Sequence, residues 1–104
     1  KRNIKNFRLS KTIVLKQRFP ENKKLKKIKK IKLCHIDVNT FKSTKNTYNH
    51  VKNKIIKGGF IIFDDYGIFG VEQVTKFVDL IKIKDKKIFH FINNYMGQCI
   101  LIKK

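Results

Sequence analysis

Three of the chain's seven acidic residues stand directly after short apolar runs. Asp37 follows Ile31–Ile36, and the pair Asp64-Asp65 follows Gly58-Gly59-Phe60-Ile61-Ile62-Phe63. Adjacent carboxylates repel one another unless a cation sits between them. Hard divalent cations such as Mg²⁺ bind a few carboxylate oxygens together with water and substrate oxygens. If the two runs are neighbouring strands, about 5 Å apart, Asp37, Asp64 and Asp65 converge on one rim. Open α/β sheets place their ligands at that carboxyl edge. The residue types therefore suit a cation-assisted active site. They equally suit plain connections, because Asp favours turns and helix N-caps; the pattern alone leaves both readings open.

Strands and helices must deliver these side chains. Phe60–Phe63 has no polar alternation, which predicts a strand buried on both faces, as in a sheet covered by helices. Ile31–Ile36 predicts another, and Thr12–Leu15 a shorter one closed by Phe19-Pro20. Between the two longer strands, Ser43 or Thr44 can cap a helix running to about Ile56. Tyr48, Val51, Ile55 and Ile56 form its core stripe and Gly58-Gly59 stops it. This strand–helix–strand unit predicts parallel strands with a right-handed crossover. Val71, Val74, Phe77, Val78 and Ile81 mark a second amphipathic helix, with Glu72 in its first turn where the helix dipole favours negative charge. Ile88–Ile92 and Cys99–Ile102 are joined without a helix, which predicts an antiparallel hairpin. The order is β-β-α-β-α-β-β, one α/β domain over residues 1–104.

The formal charge of +19 suggests polyanions such as RNA as partners. Against that reading, Lys outnumbers Arg 23 to 3, whereas phosphate and base readers favour the bidentate Arg fork. Lys, Asn, Ile and Phe make up 57 of the 104 residues and share A/T-rich codons, so much of the charge follows composition. A salt-sensitive, nonspecific affinity for polyanions is still expected. Cys34 and Cys99 lie in apolar runs without metal-ligand spacing, which predicts buried free thiols in a reducing cytoplasm. No apolar run is long enough to span a membrane. The chain begins with Lys rather than Met, so its start is expected to lie upstream.

Several spaced motifs resemble one family. His35-Ile36-Asp37-Val38-Asn39, Phe41-Lys42-Ser43-Thr44 and Gly58-Gly59-Phe60-Ile61-Ile62-Phe63-Asp64-Asp65-Tyr66-Gly67 resemble the macrocin O-methyltransferase (TylF/MycF-like) family. Its members carry H-I-D-x-D, an aromatic residue before x-S-T, and G-G-x-I-x-x-D-D-Y-G at this separation. Phe19-Pro20-Glu21, Gly70-Val71-Glu72 and the terminal Gly97–Lys104 are similar to further family segments.

The resemblance implies a class I, Rossmann-like methyltransferase. Such an enzyme uses S-adenosylmethionine and Mg²⁺ to methylate a sugar or other small-molecule hydroxyl. It implies Asp37, Asp64 and Asp65 as metal ligands. The second acid of H-I-D-x-D, the family's candidate general base, is Asn39 here, and an amide does not accept a proton at neutral pH. A glycine-rich turn after a first strand, and an acidic residue for the cofactor ribose, are missing from the sequence. The chain is therefore expected to be the carboxyl-terminal half of the fold, lacking the amino-terminal cofactor-binding half and inactive by itself.

Overall fold

The computed structural model describes residues 27–104. Strand β1 spans Ile31–Ile36, helix α1 Phe41–Val51, strand β2 Ile55–Asp64 and helix α2 Glu72–Lys84. Strands β3, Phe89–Asn93, and β4, Gln98–Lys103, complete a four-stranded sheet in the order β1-β2-β4-β3. β1 and β2 are parallel, with Ile36 opposite Phe63, while β4 runs antiparallel to both β2 and β3. The parallel pairing of β1 with β2 and the antiparallel closing hairpin agree with the sequence pattern. The expected strand at Thr12–Leu15 lies outside the described residues.

Helix α1 differs from expectation at both ends. Thr40 caps it, its side chain accepting a hydrogen bond from the Ser43 backbone N–H at 3.1 Å. The helix ends at Val51, and Ile55, Ile56, Gly58 and Gly59 belong to β2. The cause is tertiary. The Ile31 N–H donates to the Lys54 carbonyl at 2.8 Å, and Ile55 pairs with Ile31, so these β-branched residues extend the sheet. Gly59 permits a tight crossing rather than a helix stop. A Cβ there would lie 2.9 Å from the backbone oxygens of Lys32 and Ile56. Nearby the register shifts, Ile31 facing Ile55 but Leu33 facing Phe60, which places extra β2 residues in a bulge.

The core lies on one face of the sheet, beneath both helices. Tyr48 and Phe77 from the helices meet Phe63 and Phe89 from the sheet, with ring centroids 5.5 to 6.2 Å apart. Ile61, Phe63, Cys99 and Leu101 are fully buried against this cluster. The Tyr48 hydroxyl donates to Asp85 Oδ2 at 2.6 Å, satisfying a buried carboxylate, and Lys52 Nζ lies 3.9 Å from the same oxygen. Burial, reinforced by that carboxylate, pushes the Tyr48 hydroxyl pKa up.

The opposite face corrects the expectation of strands buried on both sides. Leu33 is 59% exposed, and Phe60 and Ile92 are also exposed among the described residues. Alternation explains it: Phe60 and Ile62 point away from the helices that cover Ile61 and Phe63. Both cysteines are free thiols, Cys99 buried as expected and Cys34 only half-buried, and burial pushes each up to about 11. No helix among the described residues is long and apolar enough to cross a membrane.

Candidate active-site rim

The parallel register sets the rim. Because Ile36 faces Phe63, the next residue on each strand, Asp37 and Asp64, leaves the sheet at the same carboxyl edge. Asp64 is the last residue of β2 and faces Gln98 of β4, so the rim continues onto the hairpin. Asp65 adopts a positive φ of 61°, a conformation that short polar residues tolerate and that turns the chain sharply at the sheet's end. Asn39 lies exposed in the β1–α1 connection, two residues beyond the exposed Asp37.

Hydrogen bonds fix the segment that follows. The Tyr66 N–H donates to the Gly97 carbonyl at 2.9 Å, and the Gly67 N–H to Thr75 Oγ1 at 2.8 Å. Tyr66 is buried, and its hydroxyl donates to Asp79 Oδ1 at 2.6 Å while accepting from Lys82 Nζ at 2.5 Å. The same ammonium sits 4.7 Å from the Tyr66 ring centroid. Burial and the Asp79 carboxylate raise the Tyr66 pKa, with Lys82 opposing. Asp79 and Lys82 lie one helical turn apart on α2, a spacing that could have marked them in the sequence as joint partners of a third group. At the start of α2, Gln73 Oε1 accepts from the Phe41 N–H at 2.9 Å, tying the two helix beginnings together. Glu72 accepts from the Gly70 N–H at 3.0 Å, and this bond lowers its pKa.

The three aspartates have the hard oxygen donors that Mg²⁺ requires, yet their arrangement does not fit a cation held by all three. Asp64 Oδ1 accepts from the Asp65 N–H at 3.1 Å, and Asp64 Oδ2 faces His35 Nε2 at 3.5 Å. Among the described residues no group of three or more His, Cys, Asp or Glu is gathered to hold a metal ion. The His35–Asp64 pair spans two strands, and nothing in the spacing of the sequence announces it.

Beside the rim a groove of about 270 Å³ opens between the loop after β2 and the β3–β4 turn. Tyr66, Ile68, Asn93, Tyr95 and Met96 are among its walls. Gly67, beside Tyr66, is also part of this wall.

The family model for macrocin O-methyltransferase (TylF) matches residues 1–103. The chain belongs to the TylF family. No curated protein sequence matches it. Among solved structures, the O-methyltransferase NovP is similar in fold, with a TM-score of 0.68 at 21% sequence identity. The likeness covers 99% of this chain and 43% of the NovP chain, so this TylF-family chain spans less than half of that structure. The motifs around Asp37 and Asp64 that resemble the family thus lie on neighbouring parallel strands at one rim.

Proposed function

We propose that this chain is the acceptor side of an S-adenosylmethionine-dependent O-methyltransferase that acts on the hydroxyl of a small molecule, a sugar in the first instance, in a reducing cytoplasm. The observation that carries the reading is the TylF family match over residues 1–103. S-adenosylmethionine, when bound, supplies an electrophilic methyl group. Among the described residues no glycine-rich strand-to-helix turn is present to cradle such a cofactor. Gly58 and Gly59 serve the bulge between β1 and β2 instead. The methyl-donor contacts are accordingly assigned outside residues 27–104, and the 104-residue chain alone is proposed to be inactive.

Within this reading the rim orients the acceptor. Asn39 at the general-base position hydrogen-bonds the acceptor hydroxyl without taking its proton, since an amide is not a base at neutral pH. Positioning alone still contributes, because a held hydroxyl reacts with far less entropic loss than a free one. Exclusion of water by the flanking loops would strengthen each polar contact at the rim.

The test replaces the matched part of NovP with this chain and measures S-adenosylhomocysteine release in the presence of hydroxylated small molecules. Release is expected from the fusion and not from the 104-residue chain. A fusion that unfolds cooperatively and binds S-adenosylmethionine, yet releases nothing with any hydroxyl compound, would overturn the reading.

The metal-ligand role of Asp37, Asp64 and Asp65 is tested separately. It requires Asp64 to leave His35, so calorimetric titration of Mg²⁺ into the chain is expected to give no saturable heat. Saturable binding that disappears in Asp64→Ala would instead establish the three-carboxylate site.

A further inference from the structure

The two ends of the sheet differ in charge. At the aspartate rim, the connecting residues 37–40, 65–71 and 94–97 contain no lysine or arginine. At the other end, residues 27–30, 52–54, 85–88 and 103–104 contain nine lysines and one acid, Asp85. That acid is 4% exposed and already accepts a hydrogen bond from Tyr48, with Lys52 beside it. The strand directions do the sorting, because each of these four segments leads into or out of a strand at the end away from Asp37 and Asp64. Codon composition accounts for how many lysines the chain carries, but it would scatter them over both ends.

Hydrogen bonds knit the four segments into one surface. The Ile31 N–H donates to the Lys54 carbonyl at 2.8 Å, and the Lys104 N–H to the Ile88 carbonyl at 2.9 Å. The Lys103 and Lys104 ammonium groups donate to the Lys52 and Lys86 carbonyls at 3.0 and 2.9 Å. Helix dipoles favour cations at this end, but only within the last turn, where Lys82 and Lys84 of α2 stand. Lys29, Lys30, Lys57, Lys86 and Lys87 lie beyond it and are exposed. Gathering like charges destabilises a fold by self-repulsion, which a bound polyanion relieves. With neighbouring strands about 4.8 Å apart, the four strand ends spread these charges over about 15 Å, the length of several consecutive phosphates of one nucleic-acid strand.

The chain's own first segment is not the complement, since residues 1–26 hold ten Lys or Arg and one acid, Glu21. Nor do the lysine-bearing segments present apolar tips for insertion into a membrane. Their apolar residues, Ile28 and Ile88, are half-buried, and the rest are Lys, Asn and Asp. The described residues contain no arginine, so the planar fork that reads base edges is missing from this surface. Lysine is a point charge that meets a phosphate from many directions, and phosphate contacts carry no sequence information. We infer that the end of the sheet opposite the aspartate rim binds the phosphate backbone of a nucleic acid without reading its bases. The surface uses no residue of the rim and is independent of the methyl-transfer reading.

The 104-residue chain and two variants are titrated with a fluorescent oligouridylate over a series of KCl concentrations. One variant, Lys29→Gln/Lys30→Gln/Lys87→Gln, removes three lysines from this end. The other, Lys42→Gln/Lys45→Gln/Lys76→Gln, removes three from the first halves of the two helices, nearer the rim. All six side chains are exposed, so neither variant touches the core. Both lose the same charge and keep residues 1–26, so only the location differs. The first is expected to bind about tenfold more weakly, with its slope of log affinity against log salt shallower by about 2, whereas the second stays within about twofold of the parent. Equal losses in the two variants would mean that net charge alone attracts the strand, and would overturn the inference. Binding that ignores salt would do the same. Tighter binding to phosphatidylserine vesicles than to the oligouridylate would assign the surface to a membrane instead. Self-association of the parent that the first variant abolishes would assign it to the acidic rim of a second copy.

Discussion

Replacing Phe63 with Ala is expected to destabilise the chain by about 3–5 kcal/mol, the usual range for removing a buried phenyl ring. Phe63 is fully buried and lies between the two helices' aromatic contributions, 5.9 Å from the Tyr48 ring and 6.2 Å from that of Phe77. Those rings are fixed from other directions. Tyr48 is bound to Asp85, and Phe77 also meets Phe41 at 5.5 Å. They are therefore poorly able to collapse into the space left behind. A domain of this size has a total stability of only about 5–15 kcal/mol, so the loss would be a large share of it. Denaturant unfolding of the full chain checks the prediction. A change below about 1 kcal/mol would mean that the four rings do not form one packed cluster.

The second large effect concerns chemistry. Asn39→Asp, introduced into the NovP fusion, is expected to raise methyl transfer by about a hundredfold, the lower part of the range for a positioned general base. Asn39 is exposed in the β1–α1 connection, so the change adds a carboxylate without burying it. An exposed Asp ionises near its ordinary value of about 4, so the gain should hold at neutral pH and fade as the pH falls through that range. The check is the rate of S-adenosylhomocysteine release against pH for both proteins. Equal rates would mean that the proton leaves by another route and that Asn39 does not stand at the reacting hydroxyl.

The strands and the rim were legible because their signals are local. Ile31–Ile36 and Phe60–Phe63 are apolar runs ended by Asp, and a strand–helix–strand order is enough to make them parallel. Asp37 and Asp64 then follow to the same edge from register alone. The end of α1 was not legible, because Ile55 and Ile56 satisfy a helical stripe at i+7 and i+8 as well as a strand; pairing with Ile31 decides between them. The one-sided burial of the sheet was hidden for a related reason. Phe60 and Ile62 are as apolar as Ile61 and Phe63, and only the placement of both helices on one face separates them. His35 meeting Asp64, and Tyr95 with Met96 facing the loop after β2, are contacts between segments far apart in the chain, each made of residues that look ordinary in a turn or strand.

Gly59 carries a consequence for how the two parallel strands find one another. Sliding β1 along β2 by a single step toward Phe60 would bring a Cβ into the place where only hydrogen now fits beside the Lys32 oxygen, whereas a step the other way meets another glycine, Gly58. The alignment is thus blocked in one direction, like a notch that stops travel one way, at the end of the strands opposite to Asp37 and Asp64. A one-residue slip would also turn every side chain of a strand to the other face. An error at that distant notch would therefore unseat the carboxylates as surely as a mutation among them.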